Sequence, residues 1–211
     1  MIDTCLFDLD GTLINTKDLI IASFLHTLNH YYPGRYTKKD VIAFIGEPLE
    51  VSFRRVDPAR VKELCDHYRR YNLEKHDELV KEFPNVNDTL KTLKEKGYKL
   101  GIVTTKRRET VNLGIRLTKI EPFFDVIVTI DDVKRPKPAP DPVRLALEKL
   151  GSKPEQAVMI GDSPFDIEAG RSAGTKTVGV SWTIKGVAAL REVHPDYLID
   201  DMKELLAIVD A

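Results

Sequence analysis

Cysteine is almost missing from this chain. The two present, Cys5 and Cys65, fall in a predicted strand and on a predicted helix face. Two isolated thiols give neither a disulfide framework nor a zinc site, and each reads as a small buried hydrophobe. Long apolar runs are also missing: no stretch approaches the ~18 residues of a membrane-spanning helix. Neither sign of charge is in excess, since 32 Lys and Arg against 33 Asp and Glu leave a net charge of -1. That removes the electrostatic case for nucleic acid or an anionic membrane as partner. Histidine is scattered over His26, His30, His67, His76 and His194. His26 and His30 share a helix spacing but have no third ligand near them in sequence, so structural or exposed roles are expected. Repeats and low-complexity tracts do not occur. The first residues lack the layout of a signal peptide, and a cytoplasmic location is the default expectation.

What is present suits a folded core. The chain is 42% hydrophobic and 31% charged over 211 residues, enough for one sizeable domain or a core domain with an insertion. Residues 2–9 form an apolar run that reads as a buried strand, and it ends in Asp8-Leu9-Asp10-Gly11-Thr12. Gly11 permits a sharp turn. Two carboxylates so close repel unless a cation or a shared proton intervenes, and Mg2+, a hard cation with oxygen ligands, would resolve the repulsion. Asp-Gly is also a hairpin signal. A hairpin needs a following strand, whereas Leu19, Ile20, Ala22, Phe24, Leu25 and Leu28 recur at helical spacing.

Helices are expected over 18–31, from Thr37 to about Gly46, from Pro48 to Phe53, and from an Asp57-Pro58 cap to about Glu78. Thr37 with Asp40 is a variant capping box. From Phe83-Pro84 strand and helix alternate: helices at 86–96, 107–117, 141–150, 167–173 and 202–209, strands at 100–103, 124–130, 157–160, 177–180 and 197–199. Ser152 with Glu155 reads as a further capping box. The alternation implies an α/β fold, a Rossmann-like three-layer arrangement of a parallel sheet between helices, carrying an inserted α-helical cap. The expected division is 1–15 and 81–211 for the core domain and 16–80 for the cap, which would sit over the carboxyl edge of the sheet as a lid.

Ligands bind at that edge in such sheets, so the polar residues at the strand ends matter most. They are Asp8 and Asp10, then Thr104 and Thr105, then Lys137 after a loop, then Asp162 with Asp166 four residues on. Brought together, the carboxylates demand a divalent cation, and a hydroxyl and an ammonium beside it make a phosphoryl site. Each has a plainer role available. Thr104 could be an ordinary strand residue, Lys137 a solvated charge, Asp162 a helix cap and Asp166 a partner of the helix dipole. Their occurrence in this order argues for the joint reading.

Four segments resemble the haloacid dehalogenase superfamily: Asp8-Leu9-Asp10-Gly11-Thr12, Gly101-Ile102-Val103-Thr104-Thr105-Lys106, Arg135-Pro136-Lys137-Pro138 and Gly161-Asp162-Ser163-Pro164-Phe165-Asp166. The insertion is similar to the helical cap of phosphoglycolate-phosphatase-like members. The likeness is greatest to bacterial pyrophosphatases linked to the phosphocarrier HPr. It extends through residues 20–28, 78–83 and 181–186. The resemblance implies a Mg2+-dependent phosphohydrolase. Asp8 would be the nucleophile and form an aspartyl-phosphate, and Asp10 the acid and base. Thr104 and Lys137 would hold the phosphoryl group, with Thr105 at the rim where many relatives have Asn. Backbone amides from Leu9 to Gly11 would assist. Asp8, the carbonyl of Asp10, and Asp162 would bind the metal, and Asp166 would steady it from outside. The acid at position 10 speaks against the dehalogenase and phosphonatase branches.

The expected substrate is pyrophosphate, with a functional link to HPr metabolism. A small phosphorylated metabolite such as 2-phosphoglycolate is the alternative, and a non-catalytic binding protein the third reading. Arg54, Arg55, Arg69 and Arg107, with the segment 45–48, are where the first two should be distinguished.

Overall fold

The computed structural model describes residues 1–211. In chain order the elements are β1 Thr4–Phe7, β2 Ile14–Asn15, α1 Lys17–Tyr31, α2 Lys38–Ile42, α3 Leu49–Val56, α4 Val61–Leu79, β3 Lys81–Glu82, α5 Val86–Glu95 and β4 Lys99–Val103. There follow α6 Arg108–Leu117, β5 Val126–Val128, α7 Asp141–Leu150, β6 Ala157–Gly161, α8 Pro164–Ala173, β7 Lys176–Val180, α9 Val187–Glu192, β8 Tyr197–Ile199 and α10 Glu204–Val209. Six strands make one parallel sheet in the order β5-β4-β1-β6-β7-β8. The chain runs outward from β1 to one side and then to the other, so the strand order reverses at β1. The crevice of an open α/β sheet lies at that reversal, directly beyond Asp8. No helix is long and apolar enough to cross a membrane.

Residue parity along the strands produces three layers, because successive side chains point to opposite faces. Cys5, Phe7, Leu100, Ile102, Val158 and Ile160 join one apolar cluster with Leu90 of α5, Val111 of α6 and Leu205 of α10. Leu6, Val103, Ala157 and Met159 join another with Val143 and Leu147 of α7 and Ala169 of α8. Strands buried on both faces read as continuous apolar runs, and the sequence shows them as such.

A third cluster lies apart from the sheet. It holds Ile21, Phe24 and Leu28 of α1, Val41 of α2, Phe53 of α3, and Leu64, Cys65 and Tyr68 of α4. Phe24 is its centre, with ring centroids of Phe53 and Tyr68 at 5.4 and 4.9 Å. Both cysteines are free and buried. The two chain crossings between sheet and helical segment lie side by side as an antiparallel ribbon, Ile14 opposite Glu82 and Asn15 opposite Lys81. Two-residue strands carry no periodicity, and neither β2 nor β3 was expected; nor was α9.

Helix starts were the weaker part of the sequence reading. Thr37 and Asp40 do form a capping box, with Asp40 Oδ2 accepting from the Thr37 N–H at 2.7 Å. Pro48 is the N-cap of α3 rather than its first residue. Asp57 does not open α4. It accepts hydrogen bonds from the Ala59 N–H and the Tyr32 hydroxyl, and the helix starts four residues later. Aspartate often closes such a local turn instead of a helix. Asp141 is the first residue of α7, with Pro140 as N-cap. Ser152 caps nothing: its hydroxyl accepts from Thr4 across the sheet edge at 2.7 Å, and Lys153 precedes the short turn at Pro154–Gln156. β5 ends at Val128 because Thr129 and Asp132 form a capping box that starts a 3-10 turn.

The third cluster depends on large aromatic side chains filling space between two long helices, α1 and α4, and two short ones, α2 and α3. Phe53→Ala is expected to cost about 3–5 kcal/mol, the range for emptying a buried phenylalanine site; urea unfolding of the wild type and variant measures it.

Candidate active site

Asp8 is the first residue past β1, and its N–H still donates to the Ile160 carbonyl at 2.8 Å. The sheet therefore fixes its backbone. Lys137 comes from the loop after β5, Asp162 from the end of β6, and Asp166 from the first turn of α8. The four side chains meet in one buried group: residue exposures are 7% for Asp8, 3% for Lys137, 7% for Asp162 and 1% for Asp166. Lys137 Nζ donates to Asp8 Oδ1 at 2.7 Å, to the Val103 carbonyl at 2.8 Å and to Asp166 Oδ1 at 2.5 Å. An ammonium has three donors, and all three are engaged.

Asp166 is fully engaged as well. Its Oδ2 accepts from the Ser163 N–H and hydroxyl, at 3.0 and 2.7 Å. Ser163, not Asp162, is the N-cap of α8, so Asp166 closes a capping box while Asp162 stays out of it. Asp162 accepts no hydrogen bond from Lys137, whose three donors are spent elsewhere. Burial pushes the Asp162 carboxyl well above the usual carboxylate range, with the charges of Asp8 and Asp166 adding to the rise. Burial also lifts Asp8 up to about 7 against the pull of Lys137. Burial works to lower Lys137, but the charges of Asp166 and Asp8 and the hydrogen bonds to them hold it above its ordinary value.

Three buried carboxylates face one buried ammonium, a deficit of two positive charges. Ligand oxygens of Asp8, Asp162 and Asp166 lie within 4.8 Å of one another. A divalent cation fits that deficit and that donor set, and oxygen-only ligation suits Mg2+. Of the three, Asp166 has both oxygens in hydrogen bonds, Asp8 has one, and Asp162 has neither, so Asp162 is the carboxylate least engaged by the protein itself.

The loop after Asp8 is shaped for close approach. Gly11 has φ +85°, and a Cβ there would collide with the Asp162 carboxylate. The Gly11 N–H is not available to a phosphate, since it donates to the Ile14 carbonyl at 2.9 Å. The N–H groups of Leu9 and Asp10 donate to no backbone carbonyl. The Leu9 side chain itself is buried in the sheet core. Asp10 pairs with a different lysine, its Oδ1 accepting from Lys106 Nζ at 2.9 Å. Thr104 is buried and its Oγ1 accepts from the Lys106 N–H at 3.2 Å, so its own proton remains free to donate. Thr105 is half-buried at the cavity wall.

A cavity of about 350 Å³ opens over these groups. Its floor is the strand-end cluster and its upper wall comes from α1, α3 and α4, including Phe24, Leu49, Tyr68 and Asn72. Arg69 and Arg107 line it. Arg54 does not, and Arg55 is a largely exposed partner of Glu47 at 2.7 Å. Two lysines went unrecognised as site residues from the sequence. Lys106 was findable, being two residues beyond Thr104 on the same strand end. Lys185 follows β7 in a loop without local signal; it lies 5.4 Å from the Phe165 ring, and burial lowers its pKa against the pull of Glu47 and Asp162. The histidines take no part: His67 stacks between His26 and His30 on the outer face of α1 and α4, with centroids at 5.1 and 4.7 Å.

Comparison with known proteins agrees with this geometry. A family model described as haloacid dehalogenase-like hydrolase matches residues 5–180. The chain is 57% identical over 208 residues to a protein named Pyrophosphatase PpaX from Anoxybacillus flavithermus, covering 99% of this chain and 97% of that one. Among solved structures, a hydrolase of the haloacid dehalogenase-like family from Streptococcus pneumoniae superposes with TM-score 0.87 at 31% identity, covering 98% of each chain. A predicted phosphoglycolate phosphatase from Haemophilus somnus does so with TM-score 0.84 at 28% identity, covering 98% of this chain and 97% of that one.

The charge deficit has a stability consequence separate from turnover. Millimolar Mg2+ is expected to raise the thermal midpoint by several degrees, since a ligand at about 100 times its Kd adds ~2.7 kcal/mol. Asp162→Asn is expected to raise the metal-free midpoint by removing a carboxyl whose ionisation burial opposes, and to abolish the Mg2+ shift. Thermal unfolding of both proteins with and without Mg2+ reads out each effect.

Proposed function

The chain belongs to the haloacid dehalogenase-like hydrolases, and from that premise we propose that it hydrolyses inorganic pyrophosphate to phosphate through a phosphoryl group carried on Asp8. The observation that supports this best is Asp8 itself. It is held by Lys137 through one oxygen, beside Asp162, beneath a cavity with arginines on its wall.

Asp8 Oδ1 is engaged by Lys137, so Oδ2 is the attacking atom. It forms a bond to phosphorus as the bond to the leaving phosphate breaks. Asp10 gives that leaving oxygen a proton. Its Oδ1 is fixed on Lys106, which orients the side chain and leaves Oδ2 to exchange the proton. In the second step Asp10 takes a proton from water, the water oxygen bonds to phosphorus, and Asp8 is released. Splitting the transfer in two replaces one hard step by two easier ones. The Thr104 hydroxyl and the Leu9 and Asp10 amides donate to the phosphoryl oxygens as charge shifts among them. Lys137 reaches those oxygens by giving up one of its present acceptors. Asp8, Asp162 and the Asp10 carbonyl would hold Mg2+, which when bound supplies positive charge to the phosphoryl oxygens and keeps neighbouring carboxylates ionised. Asp166 acts on this group through Lys137 and Ser163, not by direct ligation.

Residues 16–80 serve in this reading as a cap hinged at the β2–β3 ribbon. On the same reading the protein works in the cytoplasm, with a functional link to HPr metabolism. A second reading, a phosphatase for a small metabolite such as 2-phosphoglycolate, is favoured by the apolar part of the cavity wall, Phe24, Phe44, Ile45 and Leu49. The greater likeness to the protein named as a pyrophosphatase supports the first.

Asp8→Asn is expected to lower kcat by a factor of ~1,000 or more, as covalent nucleophiles do when removed, with the circular dichroism spectrum unchanged; retained turnover would refute the nucleophile assignment. A phosphate-release screen with Mg2+ over pyrophosphate, 2-phosphoglycolate and sugar phosphates should give pyrophosphate the largest kcat/KM. Chelation with EDTA should abolish activity and Mg2+ should restore it.

A further inference from the structure

One ion-pair cluster in the cavity has no part in the chemistry above. Arg69 on α4 and Arg107 immediately before α6 both direct a terminal nitrogen at the same atom, Oε1 of Glu50 on α3. Arg69 Nη2 donates to it in a short contact, and Arg107 Nη2 lies at 3.4 Å. All three residues line the cavity that holds Asp8 and Asp10. Arg69 and Glu50 belong to the helical segment over the sheet. Arg107 belongs to the sheet side, three residues past Thr104. Burial works to raise the Glu50 carboxyl, but hydrogen bonds from its own backbone and Arg69, with the two guanidinium charges, hold it below the usual range.

Two guanidinium groups converging on one anionic oxygen is the arrangement that recognises a phosphate. Here the anion is part of the protein. A guanidinium has five N–H donors, and one carboxylate cannot satisfy two of them. We propose that Arg69 and Arg107 form the subsite for the leaving phosphoryl group, and that Glu50 is an internal anion that fills this subsite until substrate displaces it. The inference rests on the pyrophosphate reading and adds to it how the second phosphate is recognised. Pyrophosphate carries charge on its leaving group and competes with Glu50 for the arginines. A substrate with an uncharged leaving group cannot, so the exchange selects for an anionic leaving group. It also changes what joins the two parts of the molecule, from a carboxylate on α3 to the substrate itself.

The test compares pyrophosphate with p-nitrophenyl phosphate on the full-length, Mg2+-supplied enzyme. For Arg69→Ala and Arg107→Ala, the ratio of kcat/KM for pyrophosphate to that for p-nitrophenyl phosphate should fall by about tenfold or more, chiefly through KM. That is the size expected when a charge-assisted hydrogen bond is lost. Glu50→Gln should act oppositely and lower KM for pyrophosphate several-fold. An unchanged ratio in both arginine variants overturns the subsite. A raised KM in Glu50→Gln overturns the displacement, since Glu50 would then be ordering the arginines for substrate. Thermal midpoints identify a variant that has lost its fold, and Glu50→Gln then still decides. Failure of the pyrophosphate reading shows differently: the wild type itself would prefer another substrate in the screen above.

Discussion

Lys137 is outnumbered. One buried ammonium faces Asp8, Asp162 and Asp166, and it satisfies two of them by hydrogen bonds. In a site this dry an uncompensated carboxylate is costly, so each carboxyl beyond the reach of Lys137 either keeps its proton, the direction in which burial drives Asp8 and Asp162, or takes up added positive charge. That constraint organises the surroundings. Gly11 is bare so that the loop can pass Asp162. Ser163 and the start of α8 tie down Asp166. Val103 lends a carbonyl to the last hydrogen of Lys137. These contacts leave Asp162 with no hydrogen-bond partner and Asp8 with one oxygen engaged, at the point where the sheet order reverses.

The sheet and the helical segment contribute different walls of the cavity. Asp8, Thr104 and Asp162 stand at the ends of adjacent strands whose hydrogen bonds and flanking apolar layers hold them. The upper wall comes from helices with a separate aromatic core around Phe24. In the proposed reading the chemistry belongs to the strand ends, and recognition of the leaving group to the seam between the two parts, where Glu50, Arg69 and Arg107 meet. The cavity accordingly has the polar strand-end groups at its floor and a mixed wall in which Arg69, Arg107, Glu47 and Glu50 stand beside apolar residues such as Phe24, Phe44 and Leu49.

Legibility in the sequence followed the same division. Strands buried on both faces announce themselves as apolar runs, so β1, β4, β6 and β7 were placed correctly to within a residue or two. The acidic strand ends, Thr104 and Lys137 were then assigned to one crevice from order alone. Helix starts fared worse, because Asp57 and Ser152 had competing local or distant hydrogen-bond partners that a spacing rule does not see. Lys185 was silent, being a loop lysine whose significance comes from what lies across from it. The Gly11 amide was expected to serve a phosphate and instead closes its own turn.

The sequence alone determined the α/β alternation, the insertion after the first strand, and the set of residue types at the strand ends, because periodicity and strand-end position are local properties of the chain. The tertiary structure decided everything that depends on which side chain meets which. It put Lys137 between Asp8 and Asp166, set Lys106 on Asp10, tied both oxygens of Asp166 into hydrogen bonds, and placed Arg69 and Arg107, of four candidate arginines, on the cavity wall. Those are contacts between residues up to 129 positions apart, and no pattern along the chain encodes a pairing made only when the sheet closes.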